Sequence, residues 1–99
     1  MTLSEIKTAV CQSFEIEESD FVIFGRSFPH SHARYAYFVL CRKYTLETMK
    51  TISNSVGMKD HQNVGQGEIR HVCLMKKNKE YAYAFNIAEK EVKQLKDSK

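Results

Sequence analysis

Val56-Gly57-Met58-Lys59-Asp60-His61-Gln62-Asn63-Val64 is the stretch that decides the fold. Gly57 stops whatever helix precedes it, and Asp60 is a strong N-cap for a helix that follows. Upstream, Leu46, Met49, Ile52 and Val56 share one side of a helix read over about 46–55, with Thr45 as its cap. Downstream, a helix read over about 61–75 opens on polar residues. Helix, short glycine turn and polar-fronted helix form the helix-turn-helix pattern, in which the second helix enters the major groove. Lys59, Asp60, His61, Gln62 and Asn63 are then the residues that meet base edges. Lys donates to guanine, Asp accepts from cytosine, and Gln or Asn can pair bidentately with adenine.

The rest of the chain reads as helices around that pair. Thr2-Leu3-Ser4-Glu5 is a capping box, and Leu3, Ile6, Val10 and Phe14 follow helical spacing over 3–14. Ser19-Asp20 opens a short helical turn carrying Phe21, Val22 and Phe24. Residues 25–32 contain the one Pro, lack an apolar period and read as a loop. Ser31 caps a helix over 32–44 that is apolar almost all round (Ala33, Tyr35, Ala36, Tyr37, Phe38, Val39, Leu40, Cys41), the pattern of a central buried helix. Asn78 caps a last helix over 79–96, striped with Tyr81, Ala84, Phe85, Ala88, Val92 and Leu95. The expected fold is all-α, about six helices, in a single domain spanning 1–99.

Charge is unevenly placed. Residues 1–20 carry Lys7 against five acidic groups, a balance of −4, whereas residues 21–79 carry ten basic groups against three acidic ones, a balance of +7. A basic middle suits a polyanion-facing surface. Cys11, Cys41 and Cys73 have no zinc-ligand spacing and sit among apolar residues, so all three are expected as reduced core thiols. No metal site is expected: His30, His32 and His71 read as ordinary histidines. No nucleophile–base constellation or paired carboxylates point to an enzyme. Gly65 and Gly67, inside the second helix of the pair, are expected to permit close packing or a bend. No apolar run is long enough to cross a membrane, and a cytoplasmic, nucleoid-associated protein is expected.

Met58-Lys59-Asp60-His61-Gln62-Asn63-Val64 resembles the signature of the C-terminal, DnaA-box-binding domain of the bacterial replication initiator DnaA, usually Gly-Arg-Asp-His-Thr-Thr-Val, a fold akin to that of the Trp repressor. Ile6-Lys7-Thr8-Ala9-Val10 is similar to the opening helix of that domain. Phe14-Glu15-Ile16 with Ser19-Asp20-Phe21-Val22, Leu40-Cys41-Arg42-Lys43-Tyr44-Thr45 and Ile52…Val56-Gly57 continue the likeness over roughly 5–72. The resemblance implies sequence-specific binding of double-stranded DNA and a role in replication initiation or transcription, with DNA and another protein of the replication or transcription machinery as the partners to expect. It implies Lys59, Asp60, His61, Gln62 and Asn63 in the major groove. It also implies Arg26, with His30 and His32, in a loop at the minor groove, and Arg34, Arg42, Lys50 and Arg70 at phosphates. Lys59 keeps the family's charge, whereas Gln62 and Asn63 replace two threonines. The family's loop is rich in Lys and Arg; here residues 24–32 carry one permanent charge, Arg26. The nucleotide-binding Gly-x-x-x-x-Gly-Lys-Ser/Thr motif is missing, so no nucleotide cofactor is expected. A DnaA-like fold used as a protein-interaction module is the alternative reading.

Overall fold

The computed structural model describes residues 2–17, 30–57 and 62–97, without the side chains of His30, Ser31 and Asn63. Among the described residues there are five helices and no strand: α1 (Leu3–Phe14), α2 (His30–Tyr44), α3 (Met49–Asn54), α4 (Gln62–Lys77) and α5 (Lys79–Asp97). The all-α expectation holds. The sixth element, the short turn expected over 19–24, lies outside the described residues.

Local chemistry sets most boundaries. Thr2 Oγ1 accepts from the Glu5 amide at 3.2 Å and Glu5 Oε1 accepts from the Thr2 amide at 3.0 Å, which completes the capping box of α1. That helix ends on Glu15 in the left-handed region (φ 58°), where the Ile16 amide closes back on the Cys11 carbonyl at 3.0 Å. Gly57, with φ 78°, lies in the turn that follows α3, where a glycine stop was expected. Asn78 is the single residue between α4 and α5, and its Oδ1 accepts from the Tyr81 amide at 3.0 Å.

Two caps fall elsewhere. Ser31 lies inside α2, which starts at His30. Thr45 does not cap α3: its hydroxyl donates to the Cys41 carbonyl at 2.6 Å and so finishes α2 instead. Thr48 is the cap, accepting from the Thr51 amide at 3.1 Å. Leu46 consequently falls in the connection and is fully exposed, not on the buried stripe with Ile52 and Val56.

The core is built on α2. Ala33, Ala36, Tyr37, Phe38, Leu40 and Cys41 are all buried, with Tyr35 and Val39 half-buried. α2 packs mainly against α4 and α1, and α1 in turn packs along α5. Ile6, Val10, Ile52, Val64, Tyr81, Phe85 and Val92 close the same cluster. The Ser13 hydroxyl donates to the Ala84 carbonyl and ties α1 to α5. Around Tyr37 polar groups are satisfied internally: its hydroxyl lies 2.6 Å from Ser55 Oγ, and Ser55 Oγ donates to the Ile52 carbonyl at 2.6 Å. Lys7 Nζ donates to the Ser55 carbonyl at 3.2 Å, so the end of α3 is fastened to both α1 and α2. Cys11 and Cys41 are core thiols as expected, and burial pushes Cys41 up to about 12. Cys73 is exposed, because on α4 it lies on the side away from α2.

The two glycines of α4 differ. A Cβ on Gly67 would meet the Phe38 ring at 2.7 Å and the Tyr35 ring at 3.4 Å, whereas one on Gly65 would lie 3.6 Å from Met49 Cε, an ordinary contact. The packing reading therefore applies at Gly67. Gly67→Ala is expected to destabilise by about 1–3 kcal/mol through overpacking. Gly65→Ala should be neutral or stabilising by up to about 1 kcal/mol from helix propensity. Urea midpoints that rise equally for both variants would refute the close-approach argument.

Tyr81 sits between two histidines. His71 Nδ1 shares a 2.7 Å hydrogen bond with the Tyr81 hydroxyl, and the His32 ring stands edge-on to the Tyr81 ring with centroids 5.6 Å apart. Burial lowers the pKa of both histidines from 6.5; at His71 Glu89 opposes that shift and Lys43 adds to it. A depressed folded-state pKa means that the unfolded chain binds the proton more readily. The stabilisation is complete above about 6.5 and is lost as pH falls toward the lowered values. The melting temperature should therefore drop between pH 7 and pH 5.5, and His71→Gln should flatten that drop. A flat wild-type profile over this range would contradict the sign.

Candidate nucleic-acid interface

α3 and α4, with the turn between them, supply the helix pair. α4 is amphipathic in a simple way: Val64 and Gly67 turn inward against α2, while Gln62, Gln66, Ile69, Arg70 and Cys73 are exposed on the other side. Spacings of four, three, one and three residues keep them on one outward face. The sequence pattern thus carries over into a helix whose outward side is polar at its start.

Of the residues expected at base edges, Gln62 is the first residue of α4 and is exposed. Asn63 follows it in the helix, its side chain outside the described set. Lys59, Asp60 and His61 lie outside the described residues, as does Arg26. The expected cap at Asp60 therefore also lies outside the described residues.

The phosphate set divides. Lys50 on α3, Arg42 at the end of α2 and Arg70 on α4 are exposed. Arg42 already has a partner: its Nε lies 3.3 Å from Glu68 Oε1, a pair that crosses from α2 to α4. Arg34 is a correction. It is 5% exposed on the inner part of α2, and burial lowers its pKa; a guanidinium so enclosed does not present itself to a backbone phosphate. The loop histidines are a second correction. His30 begins α2 and His32 lies within it, so neither is a loop residue. His32 packs on Tyr81 and Tyr35, and burial keeps it neutral at pH 7. It adds no positive charge to replace the family's missing loop cations.

Sequence reasoning missed Glu68, Gln66 and Ile69. Glu68 was detectable as the one acid of α4, but its pairing with Arg42 depends on how α2 meets α4. Exposure of Ile69 followed from helical phase once Val64 was taken as inward.

Among the described residues no group of three or more His, Cys, Asp or Glu side chains is gathered as a metal site would need. No helix among them is long and apolar enough to cross a membrane. Lys76, Lys77 and Lys79 are exposed at the α4–α5 junction, and Tyr37 and Phe38 are core.

No curated protein matches the chain. A family model does: that of the bacterial DnaA protein helix-turn-helix matches residues 3–72, from the first residue of α1 to the middle of α4. With the helix pair and a polar-fronted α4 in place, the chain is a member of the bacterial DnaA helix-turn-helix family, a family of DNA-binding domains.

Proposed function

We propose that the chain binds double-stranded DNA sequence-specifically and regulates replication initiation or transcription. The observation that carries this reading is the exposed Gln62 at the start of α4, on a helix pair that belongs to a DNA-binding family. In this reading Lys59, Asp60, His61, Gln62 and Asn63 contact bases, Arg26 reaches the minor groove, and Arg42, Lys50 and Arg70 contact phosphates. Arg34, His30 and His32 drop out for the reasons given above. Arg42 contributes after exchanging Glu68 for a phosphate, a surface pair worth about 0–1 kcal/mol and easily replaced.

The cation count sets the strength. Arg42, Lys50 and Arg70 at phosphates give a salt slope of about −2.7, since each neutralised phosphate contributes about −0.9, and Arg26 and Lys59 deepen it to at most about −4.5. Binding is therefore expected to be weak at physiological salt and clear at ~50 mM.

A second reading has its own observation. With Arg34 buried and His32 neutral, the interface is thinner in cations than the family pattern implies, as a fold turned to protein interaction would be. Anisotropy titrations against DnaA-box duplex, scrambled duplex and structured RNA separate the two. Specific binding predicts preference for one duplex, lost in Lys59→Ala and His61→Ala, and a slope about 1 unit shallower in Arg70→Ala. No saturable binding to any duplex at ~50 mM salt would favour the interaction module; unchanged specificity in His61→Ala would refute the base-edge assignment.

A further inference from the structure

The outward face of α4 does not stop at its first turn. Gln62, Gln66 and Ile69 occupy positions i, i+4 and i+7, and all three are exposed, Ile69 by 67%. Val64 and Gly67, buried against α2, fix the helix rotation that turns these three away from the core. At about 1.5 Å per residue they form a stripe about 10 Å long. That length matches about three base-pair steps at 3.4 Å per step.

Ile69 is the apolar member of the stripe and the more exposed of the two exposed β-branched aliphatic residues on α4, at 67% against 52% for Val72; the outward side also carries Arg70 and Cys73. Single exposed apolar residues are common, but this one is in phase with two glutamines on the helix that carries the proposed base-reading residues. The chemistry of the stripe is specific. Glutamine can pair bidentately with adenine N6 and N7, and an aliphatic side chain packs on the thymine 5-methyl group. The charge around it suits DNA: Glu68, the one acidic residue of α4, is paired with Arg42, and Arg70 adjoins Ile69.

We propose that Gln66 and Ile69 extend base reading along α4 beyond its N-terminal residues, Gln66 selecting an adenine and Ile69 a thymine methyl, so that this chain prefers an A·T step in that part of its site. The inference rests on the DNA-reading function proposed above and adds two specificity-determining residues to it.

The test starts from the preferred duplex selected by the whole chain out of a random pool. Each thymine in that duplex is replaced in turn by uracil, which removes only the 5-methyl group. At one position the replacement is expected to weaken wild-type binding by about fourfold, the worth of one buried methyl, and to leave Ile69→Ala binding unchanged. Gln66→Ala is expected to lose at least about fivefold of the preference for adenine at a neighbouring position. Both side chains are exposed, so melting temperatures should match wild type and folding does not confound the readout. If every thymine-to-uracil change costs Ile69→Ala as much as wild type, or Gln66→Ala keeps every base preference, the inference is overturned. When that happens while His61→Ala still abolishes selection, the DNA-reading function survives without it. If no sequence is enriched from the pool, both fail.

Discussion

The approach of α4 to α2 at Gly67 is the contact on which the rest depends. Because the Phe38 ring occupies the space a Cβ would need, the two helices come closer than side chains on both would allow. That contact fixes the rotation of α4 about its own axis. Once Val64 and Gly67 face inward, Gln62, Gln66, Ile69 and Arg70 must face out, and Glu68 must lie beside Arg42. The far side of α4 is held as well, because His71 bonds Tyr81 and its ring packs on Phe85 at 4.3 Å between centroids. A helix placed this way from α2 and α5 presents its outer face as a rigid element, which side chains reading base edges require.

The interface itself is a balance of charges gained and withdrawn. Lys43 is bound to Glu89 at 2.6 Å, with the Tyr44 hydroxyl donating to the same carboxylate at 3.0 Å, so that lysine serves the α2–α5 contact. Arg42 is shared with Glu68. The basic excess of residues 21–79 is thus partly spent on holding helices together. Among the described residues of this stretch, Lys50 on α3 and Arg70 on α4 remain exposed, with Lys76, Lys77 and Lys79 at the α4–α5 junction.

Much of this was legible in the sequence, for local reasons. The capping box at Thr2 and Glu5, the Asn78 cap and the Gly57 stop are short-range chemistry, and each falls where the residues place it. The central helix was legible because it is apolar on every side. Thr45, Leu46 and Cys73 were misplaced for the opposite reason. Two threonines three residues apart are equally good caps, and the choice of Thr48 follows from where α2 ends and how α3 meets Tyr37 and Lys7 through Ser55. Cys73 looks apolar in its sequence neighbourhood, yet helical phase turns it outward. Arg34 shows the limit on the site side: its charge marks it as a surface residue, and only tertiary packing encloses it.

The contrast among the three thiols gives the molecule an addressable point. A thiolate is the form that reacts, and burial with a raised pKa puts Cys41 out of reach at neutral pH; Cys11 is buried too. Cys73 alone meets solvent, one helical turn beyond Ile69 on the same side of α4. The fold therefore carries a single chemical handle beside the stripe that bears Gln62, Gln66 and Ile69. A reporter attached there would sense whatever settles against α4 while leaving the outward side chains of its first two turns untouched.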